Sequence, residues 1–146
     1  MLNRNILLVE DDPDHEALAL RALRKNNLSS GIVVARDGSE ALEYLFEAVG
    51  KQGGESAGLP RVVLLDLKLP KIDGLEVLRQ LRADPRTRSL PVVVLTSSDE
   101  ERDLAESYQL GANSYVLKPV DYDRFVEAIR QVSQYWLKLN QVPAGG

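Results

Sequence analysis

The sequence predicts an α/β fold, a parallel β-sheet covered by helices on both faces. Five short apolar runs recur along the chain, at residues 6–9 (ILLV), 32–35 (IVVA), 62–65 (VVLL), 92–95 (VVVL) and 115–117 (YVL). Each run is continuous rather than alternating, which is how a strand buried on both faces reads. Helical patterns separate the runs, and strictly alternating strands and helices build a parallel sheet. Polar, chemistry-bearing residues stand at or just past the carboxyl ends of the runs, where open parallel sheets bind ligands.

The helices are justified one by one. Asp12-Pro13 opens the first with a capping acid and a proline in the first helical position, and Leu18, Ala19, Ala22 and Leu23 form its inner stripe. Asp37-Gly38-Ser39-Glu40 opens the second, with an acid three residues after the cap. Asp73-Gly74-Leu75-Glu76 opens the third in the same way. Ser98-Asp99-Glu100-Glu101 opens the fourth, which Gly111 closes, and Asp121 opens the fifth. Phe125, Ile129, Val132, Trp136 and Leu139 then keep a 4-3-4-3 spacing, so the last helix is expected to run to about residue 140. Residues 50–60, with glycines at 50, 53, 54 and 58, read as a loop between the second helix and third strand. Residues 142–146 read as a frayed tail.

Bulk properties narrow the function. The 146 residues suffice for one domain with a real core. A net charge of −4 with no obviously basic face speaks against a nucleic-acid surface. The chain has no cysteine, which removes disulfides and thiolate metal sites. The apolar run near the N-terminus is too short for a signal peptide, and no stretch approaches the ~20 apolar residues of a membrane helix. The expectation is one soluble cytoplasmic domain over residues 1–146.

The chemistry gathers at three strand ends: Glu10-Asp11-Asp12, Asp66 and Lys118. A carboxylate at the tip of a buried strand is expensive unless compensated. Carboxylates within ~5 Å of one another repel by about 3 kcal/mol per pair at an effective dielectric near 20. A hard divalent cation, Mg²⁺ or alternatively Mn²⁺, removes that penalty through oxygen ligands. The expected direct ligands are Asp11, Asp66 and the backbone carbonyl of Lys68, with Glu10 helping through water. Asp12 is better placed to cap the first helix.

Asp66 is either a ligand only or also a nucleophile, since aspartate can take a phosphoryl group as an acyl phosphate. The phosphoryl oxygens would then need partners: the metal, the Lys118 ammonium and the Thr96 hydroxyl. Ser97 is small and leaves room for entry. Pro119 suggests a cis Lys118–Pro119 bond turning the lysine inward. Tyr115 is a core aromatic or a switch that moves with Thr96. His15, the only histidine, is placed near the site rim as a solvated or capping residue. Trp136 is a packing residue or marks a subunit interface.

These residues match a family. Ile6-Leu7-Leu8-Val9-Glu10-Asp11-Asp12, Asp66 through Gly74, Leu95-Thr96-Ser97 and Tyr115-Val116-Leu117-Lys118-Pro119 resemble the receiver domain of two-component response regulators, over about residues 4–138. The resemblance implies a flavodoxin-like (βα)5 sandwich with strand order 2-1-3-4-5. It implies Asp66 as phosphoacceptor, Glu10 and Asp11 as the acidic pair, Thr96 and Lys118 as the hydroxyl and lysine, and Tyr115 as the switch aromatic. Leu69 stands where methionine is frequent and Ser97 where alanine is. The ending from Tyr135 to Pro143 resembles the small stand-alone regulators of cyanobacterial phytochromes. That closer likeness implies a histidine kinase of bacteriophytochrome type as donor and a homodimer on the fourth and fifth helices, with output through a protein–protein surface onto an unidentified target.

Three other readings compete. A phosphohydrolase of the haloacid dehalogenase type wants a second acid two residues after its aspartate, where this chain has Lys68. A flavin or nucleotide binder would need a glycine- or hydroxyl-rich phosphate loop after the first strand, where Glu10-Asp11-Asp12 would repel phosphate. A phosphorylation-independent adaptor would have no need of the intact acid and lysine set.

Overall fold

A computed structural model describes residues 6–25, 31–51 and 58–141. The strands are β1 (Ile6–Val9), β2 (Ile32–Ala35), β3 (Val62–Leu65), β4 (Val92–Thr96) and β5 (Ser114–Leu117). The helices are α1 (Pro13–Lys25), α2 (Gly38–Lys51), α3 (Gly74–Ala83), α4 (Glu101–Gln109) and α5 (Tyr122–Gln134), the last continued by a π-helical turn over Tyr135–Leu139. The sheet is parallel throughout, in the order β2-β1-β3-β4-β5. This is the flavodoxin-like arrangement.

The two cores follow from the twofold period of a strand. Leu7, Val9, Val63, Leu65, Val92 and Val94 pack against Ala41, Leu42 and Leu45 of α2 and Val77, Leu78 and Leu81 of α3. Ile6, Leu8, Val62, Leu64, Val93 and Leu95 pack on the other face against Ala19, Ala22 and Leu23 of α1 and Phe125 and Ile129 of α5. Because both faces are covered, β1, β3 and β4 are apolar throughout except for Thr96 at the very end.

Several expectations need correction. Ser98 does not open α4: the N-cap is Glu100, with no side-chain capping bond. Ser98 lies two residues too early, and its hydroxyl instead accepts from Glu100 N–H and bonds to the Asp103 carboxylate. No peptide bond among the described residues is cis, so Lys118–Pro119 is trans. The lysine is held inward by its ion pairs and by its N–H on the Thr96 carbonyl (2.7 Å). The 4-3-4-3 stripe fails at its last step: Leu137 is buried and Leu139 is 71% exposed. The buried face already steps by fours within α5, through Phe125, Ile129 and Ser133 to Leu137, and Asn140 N–H closes an i→i+5 turn on the Tyr135 carbonyl beyond it. Trp136 is partly buried against the α1–α5 core. Of the 50–60 loop, residues 50 and 51 belong to α2 and residues 52–57 lie outside the described set, as does the tail at 142–146.

Candidate phosphoryl-accepting metal centre

Strand register places the acids together. Val9 and Leu65 are paired neighbours on β1 and β3, so Glu10 and Asp66 leave adjacent strands at the same level. Asp66 N–H donates to the Val9 carbonyl (3.1 Å) and Glu10 N–H to the Ala35 carbonyl (2.9 Å). Glu10, Asp11 and Asp66 each offer a carboxylate oxygen, all within 4.8 Å of one another. Glu10 and Asp66 are buried while Asp11 is exposed at the rim. An all-oxygen donor set open to solvent on one side suits a hard cation that keeps several waters. The fit is also electrostatic, because three clustered carboxylates have a single buried ammonium, paired with Glu10 and Asp66, beside them.

That ammonium is Lys118, which is 7% exposed. Its Nζ donates to Glu10 Oε1 (2.6 Å) and Asp66 Oδ2 (3.0 Å) and lies 2.9 Å from His15 Nδ1. Lys118 leaves β5 just past the pairing of Leu117 with Thr96, two strands away from Asp66, and its long stem closes the gap. Burial pushes the Glu10 carboxyl up to about 7, with the negative charge of Asp66 adding to the rise and Lys118 opposing it.

The loop after Asp66 is fixed by close backbone approach. Lys68 N–H reaches Asp66 Oδ1 at 3.4 Å. Gly74 N–H donates to the Leu67 carbonyl (2.9 Å), and a Cβ on Gly74 would stand 2.3 Å from the Asp66 carbonyl oxygen. Asp73 caps α3 by accepting from Glu76 N–H. The Asp-Gly pair thus shapes the turn that presents Asp66.

Thr96 and Tyr115 belong to a second group. Val92 and Val94 face the α2–α3 core, and Thr96 follows them in phase, fully buried. Its Oγ1 accepts from Ser98 N–H at 3.3 Å and makes no hydrogen bond to Asp66. Tyr115 is half-buried and donates its hydroxyl to the Ser98 carbonyl (2.8 Å). Burial raises the Tyr115 phenol, while its bond to Ser98 works against the rise.

Asp103 joins this group without a sequence signal. It is 4% exposed, bonds to Ser98 Oγ and pairs with Lys68 Nζ at 3.4 Å. Its carboxyl is held below the usual range, first by the Ser98 hydroxyl. In sequence it is one of several acids in the first turn of α4, where acids are common. His15 was placed at the rim by the sequence, but its contact with Lys118 was not foreseen.

Fold and site together define a class: a doubly wound α/β domain whose strand ends set a carboxylate, a lysine and a divalent-cation site side by side for phosphoryl chemistry. Residues 6–130 match the family model described as "Response regulator receiver domain". The chain is 44% identical over 138 residues to the probable methanogenesis regulatory protein FilR2 of Methanothrix harundinacea, covering 94% of this chain and 86% of that one. It is 36% identical to response regulator Rcp1 of Synechocystis sp., covering 95% of this chain and 92% of that one. The crystal structure of the Mn²⁺-bound form of Rcp1 superposes with a TM-score of 0.84 over 96% of this chain and 99% of that one, at 32% identity. The bacteriophytochrome response regulator AtBRR is 51% identical, with a TM-score of 0.69 over 97% of this chain and 99% of that one. The chain belongs to the response regulator receiver domain family. Receiver domains bind Mg²⁺ and work with histidine kinases through an aspartyl phosphate. The described helices include none long and apolar enough to cross a membrane.

Proposed function

We propose that Asp66 is the phosphoacceptor of this response regulator. The observation carrying the proposal is that Asp66, buried at a strand end, has the Lys118 amine 3.0 Å from Oδ2 and lies in a three-carboxylate cluster with Glu10 and Asp11. Asp11, Asp66 and the Lys68 carbonyl would ligate Mg²⁺, with Glu10 assisting through water. When bound, the cation neutralises charge on the phosphoryl oxygens and on the acids. An Asp66 carboxylate oxygen attacks phosphorus. The P–N bond to the donor histidine breaks, and the imidazole leaves with the bonding pair and takes up a proton. Lys118 donates to one phosphoryl oxygen and Thr96, after moving from its bond with Ser98, to another. Tyr115 then changes position with Thr96 and alters the α4–β5–α5 surface.

Beyond its own phosphorylation and dephosphorylation, this reading assigns the chain no enzymatic activity. The likeness to AtBRR favours a bacteriophytochrome-type kinase as donor. The half-exposed side chains of Tyr108, Leu117 and Tyr122 favour a homodimer or a downstream protein partner on the α4–β5–α5 face. A cytoplasmic location fits a cytoplasmic kinase domain as donor. The test is labelling with acetyl phosphate and Mg²⁺. Wild type should gain one phosphoryl group and Asp66→Asn none; labelling that persists in Asp66→Asn moves the acceptor elsewhere. Phosphotransfer from a panel of purified histidine kinases tests the donor, and a phytochrome kinase slower than the others would remove it.

A further inference from the structure

Each polar contact around Lys118 Nζ has a named partner, and one of them has no part in the chemistry above. An ammonium offers three N–H donors and no acceptor. Two of the donors meet Glu10 Oε1 and Asp66 Oδ2; the remaining neighbour is His15 Nδ1, at 2.9 Å. That contact is attractive in the tautomer with the lone pair on Nδ1 and the ring proton on Nε2; Asp12 Oδ2 stands farther off, 3.7 Å from the same Nδ1.

We infer that His15 is a positioning residue for Lys118, a neutral acceptor that completes the coordination of the amine and holds it on the Asp66 side of the site. The inference rests on the phosphoacceptor reading given above. A carboxylate in place of His15 would compete with the phosphoryl group for the amine. An alkyl group would leave one N–H unmet in a buried place, and the flexible stem of lysine would then sample other rotamers. A neutral nitrogen fixes direction without cancelling the charge that the phosphoryl oxygens need.

The anchoring of His15 supports this role. It sits in the first turn of α1, where its backbone N–H bonds to Asp12 Oδ1 (3.4 Å). Its ring lies against Phe125 of α5, with centroids 5.8 Å apart. The ring therefore touches the start of α5, four residues from the Asp121 cap, while its nitrogen holds the lysine that follows β5. It also lines a groove of about 460 Å³ with Lys118, Pro119 and Leu117.

The test compares His15→Phe with His15→Gln, reading acetyl-phosphate labelling across a Mg²⁺ titration, with a thermal melt of each protein. His15→Phe keeps the ring packed on Phe125 and removes the acceptor. Its maximal labelling rate should fall about tenfold, with the half-saturating Mg²⁺ concentration unchanged. His15→Gln restores an acceptor oxygen and should stay within about threefold of wild type. If the phenylalanine variant folds poorly, His15→Leu supplies the same comparison. A wild-type rate in the apolar variant overturns the inference, as does an equal loss in the glutamine variant. Failure of the phosphoacceptor reading looks different: wild type itself would not label, or Asp66→Asn would.

Discussion

The Lys118 amine lies 2.6 Å from Glu10 Oε1 and 3.0 Å from Asp66 Oδ2, with 108 and 52 residues of chain separating the partners. This ammonium offsets two buried carboxylates that sequence-distant strands deliver to one edge of the sheet. Removing one side of such an arrangement leaves uncompensated buried charge, which typically costs far more than the intact pair contributes. Lys118→Met is therefore expected to lower unfolding stability by about 3 kcal/mol in metal-free buffer at pH 8. Saturating Mg²⁺ should return part of the loss, because the cation takes over as counter-charge. Urea titrations with EDTA and with Mg²⁺ measure both; a Lys118→Met midpoint unmoved from wild type in EDTA would show that the ammonium is not holding the acids.

The Glu10 carboxyl gives the metal-free protein a pH dependence with a definite sign. Burial raises its folded value from 4.5 to about 7. The folded state thus binds this proton more tightly than the unfolded chain does. The associated stability is fully present below pH 4.5 and is lost as pH rises through about 7. Glu10→Gln removes the titration. Thermal melts in EDTA should show wild type losing stability relative to Glu10→Gln across this window, and parallel curves would refute the assignment. Mg²⁺ favours the ionised carboxylate, so its addition should restore stability most on the alkaline side.

Gly74 is required by contact rather than by backbone dihedral. A Cβ there would stand 2.3 Å from the Asp66 carbonyl oxygen and 2.7 Å from Leu67 Cα. The obstacles are backbone atoms of Asp66 and Leu67, so relief must come from moving the loop. Gly74→Ala is expected to destabilise by about 2 kcal/mol and to slow acetyl-phosphate labelling, even though alanine is the better helix former. Denaturation and labelling of this one variant check both halves; a stabilised, fully labelled protein would mean the loop has slack.

Strand ends made most of the site legible in the sequence. Residues following fully apolar runs must emerge at the same edge of a parallel sheet, so Glu10, Asp66 and Lys118 could be brought together before any coordinates. Less legible was what depends on side-chain phase and on contacts between helices. Thr96 leaves β4 in phase with Val94, and its Oγ1 accepts from Ser98 N–H. Whether a threonine at a strand end donates across the site depends on the state of the loop after it, which no local pattern records. His15 reaches Lys118 across 103 residues, through the packing of α1 on α5. Asp103 resembles any acid of a first helical turn until the fold buries it.

The end of α5 offers a direct comparison of spacing with structure. A regular helix carries the stripe through Phe125, Ile129 and Val132 to Trp136 and Leu139. The structure instead buries Leu137, at 8% exposure, four residues after the buried Ser133, and leaves Leu139 at 71% within the π-helical turn Tyr135–Leu139. Leu137 packs with the α1–α5 core alongside Phe125 and Ile129. Truncating a buried leucine removes its transfer energy and leaves a cavity, whereas an exposed one has little to lose. Leu137→Ala is therefore expected to destabilise by about 2–3 kcal/mol and Leu139→Ala by less than about 0.5 kcal/mol in urea unfolding of the monomer. The reverse order would put Leu139 rather than Leu137 on the inner face. A loss for Leu139→Ala that grows with protein concentration would assign that exposed leucine to a contact between two copies of the chain.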